Sequence, residues 1–230
     1  MKLLPSSIIT SAIIAFIALL PGQMLAQTHY ESNIAIGAKA GATASMMSFL
    51  PSVPQSIILG STFGVTFRYM EEKHFGLIAE VNFVQRGWKE KFDDTPHSFQ
   101  RRLTYIQVPF LTHIYFGSHK FRGFFNAGPE LGYMIADTHS ANFDINNLPD
   151  FQDPYRTVEQ FGAEIQSKFD YGISAGLGME FIANNKHSFI FEARYYFGIG
   201  NIFGSSKTDY FSASRGMSIM ATLGYMFRLK

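Results

Sequence analysis

Eight charged residues lie on one phase of segments in which apolar residues occupy every second position. Four are acidic and four are basic: Lys39, Arg68, Glu80, Glu130, Glu180, Glu192, Arg194 and Arg228. Such a set could relay protons, bind a substrate, or form ion pairs without any catalytic role. Because unpaired charges are costly away from water, we expect a structural network of salt bridges and hydrogen bonds. Arg68 and Glu80 are expected to approach each other across a short turn, and Glu192 and Arg194 share one face.

Seven histidines are scattered along the chain. No two of them have the spacing of metal ligands on one strand face, so the sequence predicts no metal site. Cysteine is absent, which excludes disulfides, thiol catalysis and cysteine-based metal sites. Because no nucleotide-binding glycine pattern opens a helix, no cofactor is expected.

The charged residues belong to eight segments in which apolar residues alternate with glycine or polar residues, as in FDYGISAGLGMEF at 169–181. A period of two indicates β-strands with two unlike faces. The predicted strands are 34–43, 60–69, 75–86, 103–116, 121–134, 169–181, 188–198 and 217–229. Their connections alternate between short turns (MEEKH, GSHK and IANNKH) and long loops (44–59, 87–102, 135–168 and 199–216). This alternation is typical of barrels in the bacterial outer membrane, with the long loops outside the cell.

The two strand faces differ enough to indicate which one points outward. The 40 positions of the apolar phase contain no charged residue and no glycine. A lysine or arginine facing lipid at the bilayer midplane would cost roughly 2–4 kcal/mol, and closure of the sheet satisfies every backbone group without water. An inward apolar phase would instead leave a glycine-rich exterior with only eight charges. We therefore predict an all-β fold, an eight-stranded antiparallel up-and-down transmembrane β-barrel that faces membrane lipid and holds the charges in a plugged lumen.

The N-terminal residues predict export. Lys2, the apolar run Ile8–Leu20 and the exit Met24–Ala26 are typical of a secretory signal peptide at 1–26, followed by the barrel domain at 27–230. Removal of Lys2 leaves 18 basic and 18 acidic residues from the 19 and 18 of the whole chain. A net charge of zero gives no support for a nucleic-acid partner. The predicted location is the outer membrane of the cell.

Several stretches resemble the PorT-like outer-membrane β-barrel family of Bacteroidota. They are AIGAKAGATAS, AEVNFVQRG, YIQVPFLTHIYF, FFNAGPELGYMI, FDYGISAGLGMEF, FEARYYFGIGNI and TLGYMFRLK. The resemblance runs from about residue 34 to the C-terminus. It implies a barrel in a Gram-negative outer membrane and an accessory role in the gliding and type IX secretion apparatus. The last strand, 222–229, looks like the signal read by the barrel-assembly machinery, which is therefore an expected partner.

Two local features remain open from the sequence. Pairing of Phe116 with Phe121 across GSHK would set Gln107 opposite Glu130. In the long loop 135–168, Thr157 and Gln160 resemble a capping box, so VEQFGAEIQ could form two helical turns. The alternative is that the fifth and sixth strands extend beyond the membrane.

The expected role is a non-catalytic barrel whose outer loops contact an unidentified protein partner or surface ligand. The type IX accessory role is an alternative. A lower alternative is a rim enzyme of the protease or acyltransferase type, for which Asp93, Asp94 and His97, or Asp137 and His139, would be the candidates; solvated loop residues explain them as well. A pore is disfavoured because eight strands enclose an interior that side chains fill.

Overall fold

The computed structural model describes residues 32–92, 95–151, 153, 155–184 and 186–229. The predicted signal peptide and the Asp93–Asp94 pair lie outside these residues. The elements are a short helix α1 (Glu159–Gly162) and the strands β1 (Asn33–Leu50), β2 (Gln55–Ser56), β3 (Ile58–Met70), β4 (Phe75–Glu90), β5 (Phe99–Gly117), β6 (Phe121–Ala141), β7 (Phe169–Ile182), β8 (His187–Gly198) and β9 (Ala213–Arg228). Among the described residues, no helix is both long enough and apolar enough to cross a membrane.

The eight long strands close into a ring. Each pairs antiparallel with its neighbours along the chain, and β1 pairs with both β3 and β9. The pairing of β4 with β5 completes the circle, while the two-residue β2 adds to β4 at one end. The predicted up-and-down barrel is thus confirmed. Because every long strand has two partners, the backbone hydrogen-bonding groups along the barrel wall are paired within the sheet.

The two ends of the barrel differ. Three short turns at 71–74, 118–120 and 183–186 lie at one end, called here the turn end. The longer connections 51–57, 91–98, 142–168 and 199–212 lie at the other, called the loop end.

The strands at the loop end are longer than predicted. β1 continues to Leu50, β5 begins at Phe99 and β6 continues to Ala141, so the predicted loops 44–59, 87–102 and 135–168 are partly strand. The predicted extension of the strands that flank loop 135–168 is therefore correct for the strand before it. The extensions form because their inward apolar side chains, such as Phe49 and Phe99, are buried against one another.

The apolar phase points outward, as predicted. Its large side chains are exposed on the outside of the barrel and form what is called here the apolar belt, represented on successive long strands by Ile36, Phe63, Leu77, Ile106, Leu131, Leu177, Phe191 and Leu223. In contrast, Glu130 and Glu180 on the opposite phase are each only 1% exposed. The barrel therefore has a hydrocarbon-like exterior and a polar interior.

The pairing predicted across GSHK is wrong by two residues. Phe116 lies opposite Gly123, and Gln107 lies opposite Gly132 rather than Glu130. The reason is a tighter turn, since Gly117 still pairs with Arg122 and the Ser118 N–H donates to the Phe121 carbonyl at 2.8 Å. Because the shift is an even number of residues, every side chain stays on its predicted face.

The inward glycines of β7 leave room for rings from the neighbouring strands. A Cβ at Gly178 would lie 2.2 Å from Cζ of Phe124 and 2.5 Å from the Phe191 carbonyl oxygen. A Cβ at Gly172 would lie 2.8 Å from the ring of Tyr196. Phe124 and Tyr196 are both buried in the lumen. Small residues on one strand therefore allow large ones on the next, which fills a narrow interior.

A valine at position 178 should destabilise the barrel. The added side chain would displace the Phe124 ring and press on the β8 backbone, so Gly178→Val is expected to lower the free energy of unfolding by about 1–3 kcal/mol. The measurement is urea-induced unfolding in detergent micelles. Gly162→Val is the matched control, because no atom lies within 4 Å of a Cβ at that position. Equal stability of the two variants would contradict the packing described here.

Candidate functional site

The centre of the lumen holds a quartet of two acids and two bases. Arg194 binds Glu80 in a bidentate manner, with Nη1–Oε2 at 2.8 Å and Nη2–Oε1 at 3.0 Å. The same guanidinium contacts Glu192 at 2.8 Å. Lys39 Nζ lies 2.7 Å from Glu80 and 3.6 Å from Glu192. The quartet joins β1, β4 and β8 across the lumen with no net charge.

Neutral side chains extend this quartet to two further strands. Asn82 donates to Glu80 at 2.8 Å, and Asn126 on β6 donates to Glu192 at 2.7 Å. The side-chain oxygen Oδ1 of Asn126 in turn lies 2.7 Å from Nδ1 of His113 on β5. His113, one of the scattered histidines of the sequence, is therefore part of the lumen network.

A second ion pair lies nearer the turn end, between Arg68 on β3 and Glu180 on β7. Arg68 Nη2 is 2.8 Å from Glu180 Oε1, which also accepts a hydrogen bond from Ser188 at 2.6 Å. The predicted approach of Arg68 to Glu80 across the MEEKH turn is therefore wrong. The register sets Arg68 opposite Ile78, and Arg194 and Lys39 already bind the Glu80 carboxylate.

A third pair, nearer the loop end, was missed by the sequence prediction. Arg86 Nη2 lies 2.7 Å from Asp170 Oδ2, and Tyr196 donates to the same oxygen at 2.8 Å. The Arg86 guanidinium also stacks over the rings of Tyr105 and Tyr196, 4.2 and 4.4 Å from their centroids. Arg86 and Asp170 lie at ends of predicted strands, on the same phase as the eight charges. This phase could have indicated from the sequence that both side chains point into the lumen.

Two of the eight predicted residues form no ion pair with the described residues. Glu130 is buried and accepts a hydrogen bond from Ser174, while Arg228 is half-buried near the turn end. Within the network lies a cavity of about 20 Å³, lined by residues that include Lys39, Arg68 and His113. A cavity of this size holds about one water molecule, and most of the charged side chains around it are buried.

A cluster of apolar side chains closes the barrel at its loop end. This cluster, called here the mouth core, consists of Met47, Phe49, Val53, Trp88, Phe99, Leu103, Tyr105, Met134, Phe161, Ile202, Phe203 and Phe211. Its residues come from the loop-end parts of the strands and from three of the four loop segments. The segment SMMSFLPSVPQS at 45–56 is apolar and uncharged, which is unusual for a surface loop. The reason is that Met47, Phe49 and Val53 are buried in the mouth core.

Polar contacts attach the long loop 142–168 to the barrel. Arg156 lies 2.8 Å from Glu90, and Gln160 donates to the other oxygen of that carboxylate at 2.8 Å. Glu90 ends β4, nine residues beyond Val81 in the apolar belt, and burial raises its pKa above the usual range. Arg101 donates to the Ala163 carbonyl at 2.7 Å.

The predicted two-turn helix in this loop is wrong. Helix α1 has only four residues, its N-cap is Val158, and no side chain caps it. The proposed capping partner Gln160 is buried, and its amide group donates to Glu90 and to the Thr157 carbonyl, while its oxygen accepts no backbone N–H as a capping box requires. Tertiary contacts with the barrel mouth therefore replace the local capping interaction.

Two clefts open on the surface of the loop end. One, of about 560 Å³, lies between the segments 145–166 and 203–211. The other, of about 620 Å³, lies between the loop and the ends of β5 and β6. Residues 161–164 line both clefts and separate them.

The residues proposed for a rim enzyme do not form a catalytic pair among the described residues. Asp137 binds Arg101 through both oxygens, at 2.8 and 2.5 Å. The ring of His139 lies against Phe99, and His97 packs against Phe92, Phe143 and Phe151. Across the described part of the chain, no group of three or more His, Asp or Glu residues could hold a metal ion.

Comparison with known families shows which family this barrel belongs to. A family model described as the outer membrane protein beta-barrel domain matches residues 25–204, which is most of the chain. The chain belongs to this outer-membrane β-barrel family. It is a small barrel of the cell outer membrane, so the apolar belt faces lipid. In such barrels the longer loops are extracellular, and the loop end is therefore outside the cell. Among curated proteins, no sequence matches this chain.

A solved structure supports the fold, and two others are similar to the chain at lower scores. The outer membrane protein OprG from Pseudomonas aeruginosa superposes with a TM-score of 0.53 at 12% identity, covering 86% of this chain and 95% of that one. Neisserial surface protein A matches with a TM-score of 0.45 at 13% identity, covering 85% and 98%. Ail of Yersinia pestis, solved with the heparin analogue sucrose octasulfate, gives 0.43 at 13% identity, covering 84% and 99%. At such identities the likeness concerns the fold alone.

Removal of one charge from the central quartet should be more damaging than removal of two opposite charges. Arg194→Met leaves Glu80 and Glu192 buried with only Lys39 nearby, and is expected to cost about 3–5 kcal/mol of folding stability. The double variant Arg194→Met/Glu192→Gln keeps the Lys39–Glu80 pair and should lie closer to the parent. Urea unfolding in micelles measures both, with the exposed Lys207→Met as control. Strictly additive losses in the double variant would contradict the coupled network.

Proposed function

We propose that this protein is a non-conducting outer-membrane barrel whose extracellular loops bind a protein partner. The observation that carries the proposal is the way the loops pack on the mouth core and leave two open clefts above a filled lumen. A barrel used for transport needs a continuous path, whereas here the mouth core and the ion pairs below it occupy the interior. The accessible surface for recognition is then the loop end.

The side chains around the clefts favour a partner that carries basic groups. Glu159 and Glu164 line the first cleft together with Asp209, and Asp144 lines the second. The segment 142–168 contains five acidic and two basic residues, and one of the basic residues, Arg156, is bound to Glu90. The aromatic rings of Tyr210 and Phe211 add apolar surface beside the acids. Acidic and aromatic side chains together suit lysine, arginine and apolar groups of a protein.

The loop contacts favour binding with little rearrangement. The Arg156–Glu90 ion pair and the Arg101–Ala163 hydrogen bond hold the loop on either side of α1. Surfaces that are ordered before binding lose less conformational entropy in the complex, which increases affinity. The buried Phe161 fixes the wall between the two clefts.

The second candidate rests on the resemblance of the quoted strands to PorT-like barrels of Bacteroidota. We infer that a PorT-like member would act as an accessory of the gliding and type IX secretion apparatus, with the apparatus itself as partner. Deletion of the gene distinguishes this role, because loss of protein export supports it and unchanged export contradicts it. For the rim-enzyme alternative, the described residues offer no His–carboxylate hydrogen bond in support.

A photo-reactive residue at the cleft should capture the partner. Tyr210 is 50% exposed and lines the first cleft, so Tyr210→p-benzoylphenylalanine is expected to crosslink a protein in the native membrane. Charge reversal by Glu159→Lys/Glu164→Lys should reduce the crosslinked product several-fold, as should added salt, since rim charges control association.

The matched control places the same photo-reactive residue at Lys120 in a periplasmic turn. A product of the same mass from both positions, or no protein product from position 210, would contradict partner binding at the clefts. Folding of each variant is checked by the heat-dependent mobility shift of the barrel on gels.

A further inference from the structure

The charged residues of the strands are distributed unequally between the two faces of the barrel wall. Strand positions directly opposite each other share a face, so the register assigns each charge. Every acidic residue on the described strands points into the lumen or the mouth. Three charged strand residues point outward, and all three are cations: Lys89, Arg102 and Arg215.

The outward assignment follows from their buried neighbours. Lys89 lies between Trp88 and Glu90, which are 0% and 2% exposed inside the barrel. Arg102 lies between the buried Arg101 and Leu103. In the same way Arg215 is flanked by the inward Ser214 and by Gly216, whose Cβ would face Arg86.

All three cations lie at the extracellular edge of the apolar belt. Arg102 and Arg215 are four residues from Ile106 and Ile219, which are 42% and 57% exposed on the same face. Lys89 pairs with Ser56 on one side and Gln100 on the other, beyond the end of the belt on β4. Neighbouring strands are about 4.8 Å apart, so the arc from β9 through β1, β3 and β4 to β5 spans roughly 20 Å.

No carboxylate of the described residues neutralises this arc. Within the described residues, none of the three cations takes part in a salt bridge. Nε of Arg215 is buried yet has no hydrogen-bond partner. The periplasmic turns also carry one lysine each, Lys73, Lys120 and Lys186, but these lie at the turn end and not at the outer edge of the belt.

We propose that Lys89, Arg102 and Arg215 bind the phosphate groups of a lipid in the outer leaflet. A ligand at this height has hydrocarbon directly below it and an aqueous headgroup layer beside it, which are the surroundings of a lipid headgroup. Guanidinium groups bind phosphate in a bidentate manner and lysine acts as a point charge. The three cations lie on the outer face of the wall and line neither cleft, so this binding does not depend on the proposed protein partner.

The test measures lipid retention by the whole purified protein in an uncharged detergent. Bisphosphorylated lipid A is the probe, and bound lipid is counted by native mass spectrometry. A basic residue near an anionic lipid surface contributes about a fivefold change in affinity, so Lys89→Gln/Arg102→Gln/Arg215→Gln should weaken binding about 100-fold. The control Lys73→Gln/Lys120→Gln/Lys186→Gln removes the same charge from the periplasmic turns and should bind as the parent does.

Two further arms separate phosphate recognition from other sources of binding. Dephosphorylated lipid A should bind at least tenfold more weakly to the parent; equal binding would overturn the proposal. Inorganic phosphate should not displace lipid A at millimolar concentration, and full displacement would indicate a free-phosphate site instead.

If the triple glutamine variant does not fold, conservative variants and single variants still test the proposal. Arg102→Lys/Arg215→Lys retains the charge and should keep most of the binding, while each single glutamine variant should lose about fivefold. Unchanged lipid binding in all three single variants would overturn the assignment.

Discussion

The cost of exposing charge to hydrocarbon governs the rest of this structure. Every ionic side chain within the height of the apolar belt must point into a barrel of eight strands, which is only wide enough for side chains. Water cannot solvate many charges there, so they have to neutralise one another. The quartet around Arg194 meets this requirement, since two acids and two bases from three strands lie within 3.6 Å of their partners.

The same constraint separates the interior into two regions with opposite chemistry. Inside the belt the lumen is ionic and its glycines leave room for a few large rings. Beyond the belt, where the strands emerge from the membrane, the interior becomes apolar and Trp88 and Phe99 are fully buried. The loops therefore fold on a conventional hydrophobic core that rests on an ionic plug. Because the loops pack on this core, they form a defined surface at the extracellular end of the barrel.

Much of the fold was predictable from the sequence because the period of two follows directly from strand geometry. The alternation around Leu177 and Gly178 assigned both the strand and its faces, and it needed no knowledge of partners. Ion-pair partners were less accessible. Arg68 binds Glu180, far away along the chain, because barrel curvature brings opposite walls together, and no local spacing encodes that distance. The buried aromatic residues of the loops were also missed, since irregular segments bury apolar side chains without a period.

The central claim is that apolar side chains face lipid while the interior is sealed from both lipid and water. The most direct measurement is methyl NMR of the barrel in lipid nanodiscs, with one paramagnetic agent in the acyl region and another dissolved in water. The account predicts that Ile173 and Leu177 are broadened only by the lipid-borne agent, and that the buried methyls of Val84 and Met220 are broadened by neither. Broadening of Val84 or Met220 by the aqueous agent, or protection of Ile173 from the lipid-borne one, would contradict it.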